Sequence, residues 1–330
     1  MNEYLLKDQW ERHREHISID HETAAKLVFP YSNEVIASCK PLSNGCANSN
    51  YQITFTNGNS VVLRVYQRGH SSLSQELGIQ QLVKELLPVD KILYTDDSCS
   101  AYPHPYAIME FIEGILLRDL VFTHDETAIS ETVYEAGQYL ALLRALKLPY
   151  GGFFQEDMQI RPFAPEEEYE PCLIQLLQSD AITMNLGNNI RQDIQQLFSQ
   201  CYQLLPEIND ANLTHGDYDP ANILVNNING RWKITAILDW EFTFAGTYLL
   251  DIGMMLRYSH KLPDYFEKNF IRGIENAGPA LPSDWKKQAT LMDLICLLQL
   301  LQYNRASDRP HLNRDVVQLI THKVKHFTRF

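Results

Sequence analysis

The chain has 330 residues, 45% hydrophobic and 21% charged, the balance of a soluble globular protein with room for two lobes. A formal net charge of −13 argues against nucleic-acid or anionic-membrane partners, which need a basic face, and no run approaches the roughly 18 apolar residues of a membrane span. The six cysteines, at 39, 46, 99, 172, 201 and 296, lack Cys-x-x-Cys spacing and the first eight residues lack a signal-peptide core, so reduced thiols and a cytoplasmic location are expected.

Residues 1–30 mix charge with short apolar groups, which predicts a helical segment ending at Pro30. Glu34 to Leu42 reads as a strand, Ser43 to Asn50 as a loop of small residues, and Tyr51 to Thr56 as a second strand. Asn57-Gly58 is a strong hairpin signal, and a third strand, Ser60 to Tyr66, leaves it. Together these elements predict an antiparallel sheet. The third strand carries Arg64 between apolar neighbours, where a guanidinium must reach solvent or find an anion. Ser71 to Leu87 follows as a helix stopped by Pro88. Glu76 lies on or beside its apolar stripe and needs a counter-charge, with Arg64 as the candidate; Glu85 is the next acid in line for that pairing. Tyr106 to Gly114 is an apolar strand ending in acidic residues and a glycine.

From Leu116 onward the pattern turns helical. Glu131 to Leu146 has the spacing of a buried helix, through Val133, Ala136, Leu140, Leu143 and Leu146. A loop opening at Gly151 runs through Pro162 and Pro165 into Glu166, Glu167, Glu168 and Glu170, a solvated face or a surface for a polyamine. Leu291 to Leu301 is apolar nearly all round and predicts a core helix, interrupted by Asp293, which needs a structural partner or faces a cleft.

The most informative stretch is Leu213 to Glu241. His215, Gly216, Asp217 and Asn222 form a polar loop that runs into Ile223, Leu224 and Val225. Asn226 to Gly230 is turn chemistry, and the strand Trp232 to Leu238 returns to end on Asp239. A hairpin of this kind brings Asp217, Asn222 and Asp239 together. Magnesium is usually held by one or two carboxylates plus substrate phosphates, so Asn222 and Asp239 suit a metal ion and Asp217 is left to accept a proton. Singly, Asp217 and Asn222 would read as turn caps.

The pattern His-Gly-Asp-x-x-x-x-Asn-x-Leu followed by Ile-x-Asp-Trp-Glu resembles the aminoglycoside phosphotransferase and choline kinase group, small-molecule kinases with a protein-kinase-like fold. The resemblance implies an α+β bilobal fold: residues 1–109 as a nucleotide-binding lobe, 110–115 as a linker, and 116–330 as a larger, mainly helical lobe. It implies ATP or GTP as co-substrate with Mg²⁺, and a small-molecule hydroxyl as acceptor. Asp217 would be the catalytic base, Asn222 and Asp239 the metal ligands, and Arg64 with Glu76 the phosphate clamp. Gly45 and Asn48 would touch phosphate, and the backbone of Met109, Glu110 and Phe111 would meet the nucleotide base. His215 would brace the loop by bonding it and the strand-end aspartate, Asp251 would hold loop backbone unless it merely caps its helix, and Glu241 would orient a metal-bound water or a substrate amine.

Against a protein kinase stand Asp219, where a lysine is common, and the eleven residues between Asp239 and Asp251, too few for a peptide platform. A non-catalytic scaffold would be expected to have lost one of Asp217, Asn222 or Asp239. The acidic balance favours a cationic acceptor such as an aminoglycoside, with choline or other amino-alcohols, macrolides, sugars and homoserine as the alternatives the resemblance implies.

Overall fold

The structure, a computed structural model, describes residues 5–12, 15–42, 48–67 and 70–327. A helix α1 (His21–Val28) precedes strands β1 (Ile36–Leu42), β2 (Ser49–Phe55) and β3 (Ser60–Val65). Helix α2 (His70–Val83), β4 (Ile92–Asp96) and β5 (Tyr106–Glu110) complete an antiparallel sheet of order β1-β2-β3-β5-β4. Strict alternation along β2 turns Tyr51, Ile53 and Phe55 inward, where they pack with Ala24, Leu27 and Val28 of α1. Tyr66, Leu73, Ala107 and Met109 form a second small cluster under α2.

The expected helix through Pro30 is shorter. Among the described residues of that segment only α1 is helical, capped by the Asp20 carboxylate, which accepts from the Thr23 N–H at 2.8 Å. Residues 5–12 instead form turns that lie on the C-terminal half of the chain, with Leu6 buried in its core.

Beyond β5 the chain runs through β6 (Ile115–Leu116), α3 (Leu117–Val121) and α4 (Glu126–Ala145) into a hairpin, β7 (Gly152–Phe154) with β8 (Ile160–Pro162). Helices α5 (Tyr169–Leu177) and α6 (Asp180–Cys201) follow, then β9 (Asn212–Thr214), β10 (Ile223–Ile228), β11 (Arg231–Ile237) and β12 (Phe244–Gly246). The chain closes with α7 (Tyr248–Met255), α8 (Asp264–Ala277), α9 (Trp285–Tyr303) and α10 (Pro310–His326). One core joins α4, α7, α8, α9 and α10. Among the described residues no helix is long and apolar enough to cross a membrane.

α4 and α8 meet through two glycines. A Cβ on Gly137 would fall 2.1 Å from the Phe270 carbonyl oxygen, and one on Gly273 2.1 Å from that of Tyr134. The backbones therefore approach more closely than any side chain permits. Gly137→Ala is expected to destabilise the protein by about 1–3 kcal/mol, since the helices must part to admit the methyl group. A denaturant midpoint equal to the wild type would show that they can.

The β10–β11 hairpin turns through Asn229 and Gly230, both at positive φ (54° and 85°). The strands thus run closer to the turn than the sequence suggested. Asp293 on α9 is fully buried and has structural partners, Arg257 (Nε–Oδ1, 3.0 Å) and Lys323 (3.1 Å).

Candidate active site

β9 delivers the chain into the loop that begins at His215. Gly216 sits at φ 78°, and a Cβ there would lie 2.4 Å from the Phe242 carbonyl oxygen, so both conformation and space demand glycine. The loop backbone is held from below by Asp251. Its Oδ2 accepts from the His215 N–H at 2.9 Å and its Oδ1 from the Gly216 N–H at 3.0 Å. Thr247, not Asp251, caps α7, accepting from the Leu249 N–H. Burial pushes the Asp251 carboxyl up to about 7 against the pull of the two N–H donors. Asp251→Ala would orphan both donors in a dry site and is expected to cost about 1–3 kcal/mol for each. Thermal unfolding of that variant checks this, and an unchanged midpoint would mean the loop holds itself.

His215 is fully buried, its ring 4.5 Å from that of Trp240, and burial depresses its pKa to about 4. The imidazole is therefore neutral near pH 7. One tautomer serves both of its bonds: Nε2–H donates to the Leu238 carbonyl at 3.0 Å, and Nδ1 accepts from the Asp217 N–H at 3.2 Å. The ring reaches the carbonyl before Asp239, not the Asp239 carboxylate that the sequence suggested.

Asn222 Nδ2 donates to the Asp217 carbonyl at 2.9 Å and to Asp217 Oδ2 at 2.7 Å, which leaves the amide oxygen of Asn222 for another partner. The Leu238 N–H donates to the Asn222 carbonyl at 2.8 Å, the contact by which the hairpin brings Asp239 to the loop. Asp239 itself is left-handed (φ 63°, ψ 60°), a conformation that a non-glycine residue keeps where its surroundings hold it. Its Oδ1 accepts from Arg64 at 2.7 Å.

Arg64 on β3 is buried and also faces Glu76 on α2 at 3.5 Å; Glu76 Oε2 accepts from the Tyr66 hydroxyl at 2.8 Å. Burial works against the charge on Arg64, but Glu76 and Asp239 outweigh it and raise its pKa. Burial raises Glu76 as well, with Arg64 pulling it down. The pairing expected from sequence is present, and the second acid on Arg64, Asp239, was not foreseen.

Asn48 is buried. Its Oδ1 accepts from the Gln67 N–H at 3.3 Å and its Nδ2 donates to Glu241 Oε2 at 3.3 Å, so it ties the sheet to the strand-end segment. Gly45 lies outside the described residues. In the linker, the Glu110 N–H is taken by the Lys91 carbonyl at 2.8 Å and Met109 pairs with Val62 and Ile92, so Phe111 is the first of the three beyond the sheet.

Two residues were missed from sequence. Asp90 lies near Glu76 and Arg64, and burial with the Glu76 charge pushes its carboxyl up to about 8. Lys7 places Nζ 2.6 Å from Asp217 Oδ1 and in contact with Asp219 Oδ2. No local signal marks Lys7, which meets Asp217 across 210 residues of sequence.

An antiparallel sheet joined by a short linker to a helical half, with a loop Asp and Asn facing a strand-end Asp, defines a bilobal, protein-kinase-like fold. The chain belongs to the phosphotransferase enzyme family, whose sequence profile matches residues 38–285. A homoserine kinase of Paramagnetospirillum magneticum is 24% identical over 231 residues, 67% of this chain and 65% of that protein, so the match spans just under two thirds of the relative's length. Among solved structures, a thermostable mutant of an aminoglycoside phosphotransferase in ternary complex with AMP-PNP and hygromycin B superposes with a TM-score of 0.66 at 18% identity, covering 93% of this chain and 98% of that one. A macrolide 2'-phosphotransferase from Brachybacterium faecium gives 0.64 at 15% identity, covering 91% and 97%. At these identities the structures carry the fold and leave the acceptor open.

Proposed function

We propose that this phosphotransferase moves the γ-phosphoryl of ATP or GTP to a hydroxyl of a small molecule, with residues 1–109 as the nucleotide lobe, 110–115 as the linker and 116–330 as the acceptor lobe. The carrying observation is the Asp217–Asn222 contact beside Asp239 and Arg64. In this reading the acceptor oxygen forms a bond to the γ-phosphorus as the bond to the β,γ-bridging oxygen breaks. The hydroxyl proton passes to Asp217 and the nucleoside diphosphate leaves. Arg64 grips phosphate, with Glu76 setting its direction. The free oxygens of Asn222 and Asp239 fit Mg²⁺, which would neutralise phosphate charge when bound. Asn48 and Gly45, the latter outside the described residues, are read as the phosphate contacts, and of Met109, Glu110 and Phe111 it is Phe111, the first beyond the sheet pairing, that is left to meet the base. His215 and Asp251 hold the loop, and Glu241 anchors Asn48 beside the metal ligands. Catalysis rests on positioning and charge neutralisation.

The net charge of −13 favours a cationic acceptor such as an aminoglycoside. A second reading, an amino acid or other acceptor bearing a carboxylate, is favoured by Lys7, whose ammonium already occupies the acidic ground between Asp217 and Asp219. The match to a homoserine kinase points the same way. Purified protein with Mg-ATP, assayed for nucleoside diphosphate release against aminoglycosides, macrolides, amino-alcohols and hydroxyl amino acids, separates the two. Transfer to no aminoglycoside removes the first, and transfer to no hydroxyl compound at all removes the kinase reading.

A further inference from the structure

We propose that Lys7 is a positioning residue of the active site, its ammonium held between Asp217 and Asp219 so that the Asp217 carboxylate is aimed and the loop is neutralised for a polyanionic phosphoryl donor. The proposal rests on the kinase reading above.

The loop from Leu213 to Asn222 contains two aspartates and no lysine or arginine. Two carboxylates two residues apart in a largely buried loop repel each other and would repel a nucleotide triphosphate. Apart from a metal ion at Asn222 and Asp239, a cation that offsets them has to reach the loop from another part of the chain. Arg257 stands near, but it is bound to Asp293. Lys7 is the residue that arrives, with Nζ 2.6 Å from Asp217 Oδ1 and touching Asp219 Oδ2. Burial opposes its charge, but Asp217 and Asp219 more than offset that and raise its pKa. Asp217 thus has one oxygen on Lys7 and the other on Asn222, which fixes the plane of its carboxylate.

Lys7 is built in, not resting loosely in the cleft. Leu6 beside it is 2% exposed. Trp10 lies 5.3 Å under the ammonium and donates Nε1–H to Asp315 Oδ2 at 2.8 Å. The Glu11 carboxylate accepts from the His311 and Leu312 N–H groups at the start of α10, and Arg309 Nε donates to the Glu11 carbonyl at 2.8 Å. Leu6 and Lys7 are both left-handed, at φ 53° and 61°. Two successive strained residues persist only where their surroundings hold them, and here the strain aims one side chain at the catalytic loop.

The test uses Lys7→Met, Lys7→Arg and the double variant Lys7→Met/Asp219→Asn. Each is checked for folding by thermal unfolding and then assayed for kcat, for acceptor KM, and for Mg-ATP and Mg-ADP affinity by calorimetry. Lys7→Met is expected to lower kcat about 100-fold while moving acceptor KM by less than about threefold. Lys7→Arg should recover most of the loss, and removing the Asp219 charge should restore kcat of Lys7→Met by about tenfold, which a merely structural lysine would not allow. Unchanged kcat in Lys7→Met, or a rise in kcat/KM for the acceptor as expected of a displaceable plug, overturns the proposal. So does a double variant no better than Lys7→Met. If Lys7→Met does not fold, the double variant decides by its distance from the wild type: about tenfold lower kcat supports the proposal and equality overturns it. A wild type that binds Mg-ATP yet phosphorylates no acceptor sinks the kinase reading instead. Lys7 is then judged on binding: its loss must weaken Mg-ATP about tenfold more than Mg-ADP, and equal weakening overturns it.

Discussion

Asp217→Asn is expected to lower turnover by about 10³-fold while Mg-ATP affinity stays within about threefold of the wild type. The substitution keeps the shape of a side chain already held at both oxygens, by Lys7 and by Asn222. It removes the one property the proposed chemistry draws on, the capacity to take a proton. Its amide cannot accept from both neighbours as the carboxylate does, so some reorientation accompanies the loss. Binding and turnover should therefore separate: calorimetry sees a nearly normal nucleotide site and a phosphate-transfer assay sees almost nothing. Turnover within about tenfold of the wild type would remove Asp217 from the role of base.

Arg64→Met has the second large effect, and it falls on stability as well as activity. The guanidinium stands between Glu76, fully buried, and Asp239. Removing one partner of a buried charge pair typically costs about 3–5 kcal/mol, because the other charge is left without compensation. Glu76 can escape part of that cost by taking a proton. Burial already raises its pKa, and Arg64 is what holds it down, so the variant raises it further. A carboxyl whose folded pKa exceeds its unfolded value stabilises the fold below the unfolded pKa and loses that contribution as pH rises through the folded one. The deficit of Arg64→Met should accordingly shrink on acidification. Adding Glu76→Gln should recover much of the stability near pH 7 and none of the turnover. Recovery of both would mean that Arg64 serves folding alone.

The parts of this molecule legible from sequence are those whose partners lie close along the chain. Asp217, Asn222 and Asp239 share one hairpin, and its turn residues, hydrophobic runs and polar loop are all local signals. Arg64 and Glu76 sit on consecutive elements, so an arginine in an apolar strand and an acid on the next helix could be matched by charge alone. Asp293 offered a structural partner or a cleft, and Arg257 and Lys323 supply the former. What escaped has partners far away. The segment around Lys7 has the composition of an ordinary amphipathic terminus, and nothing in it reveals that Glu11, Trp10 and Leu6 are spent on α10 and the large core. The same long-range docking explains the overextended helix, since the backbone of residues 5–12 closes local turns while Trp10 and Glu11 bond to α10 and Arg309. β4 escaped because five residues with only partial burial show no clean alternation.

The docking of residues 5–12 also sets an order on synthesis. Lys7 and Trp10 leave the ribosome long before α10 does, and Trp10 finds Asp315 across 305 positions and Glu11 finds Arg309 across 298. Closing loops of that length is slow, and these contacts have no local substitute. The hairpin bearing Asp217 and Asp239 can form while the chain is still being made; the cation between Asp217 and Asp219 cannot arrive before α10 does. A nascent chain would thus hold Asp217, Asn222 and Asp239 in place and lack the ammonium between the two loop aspartates until α10 is translated.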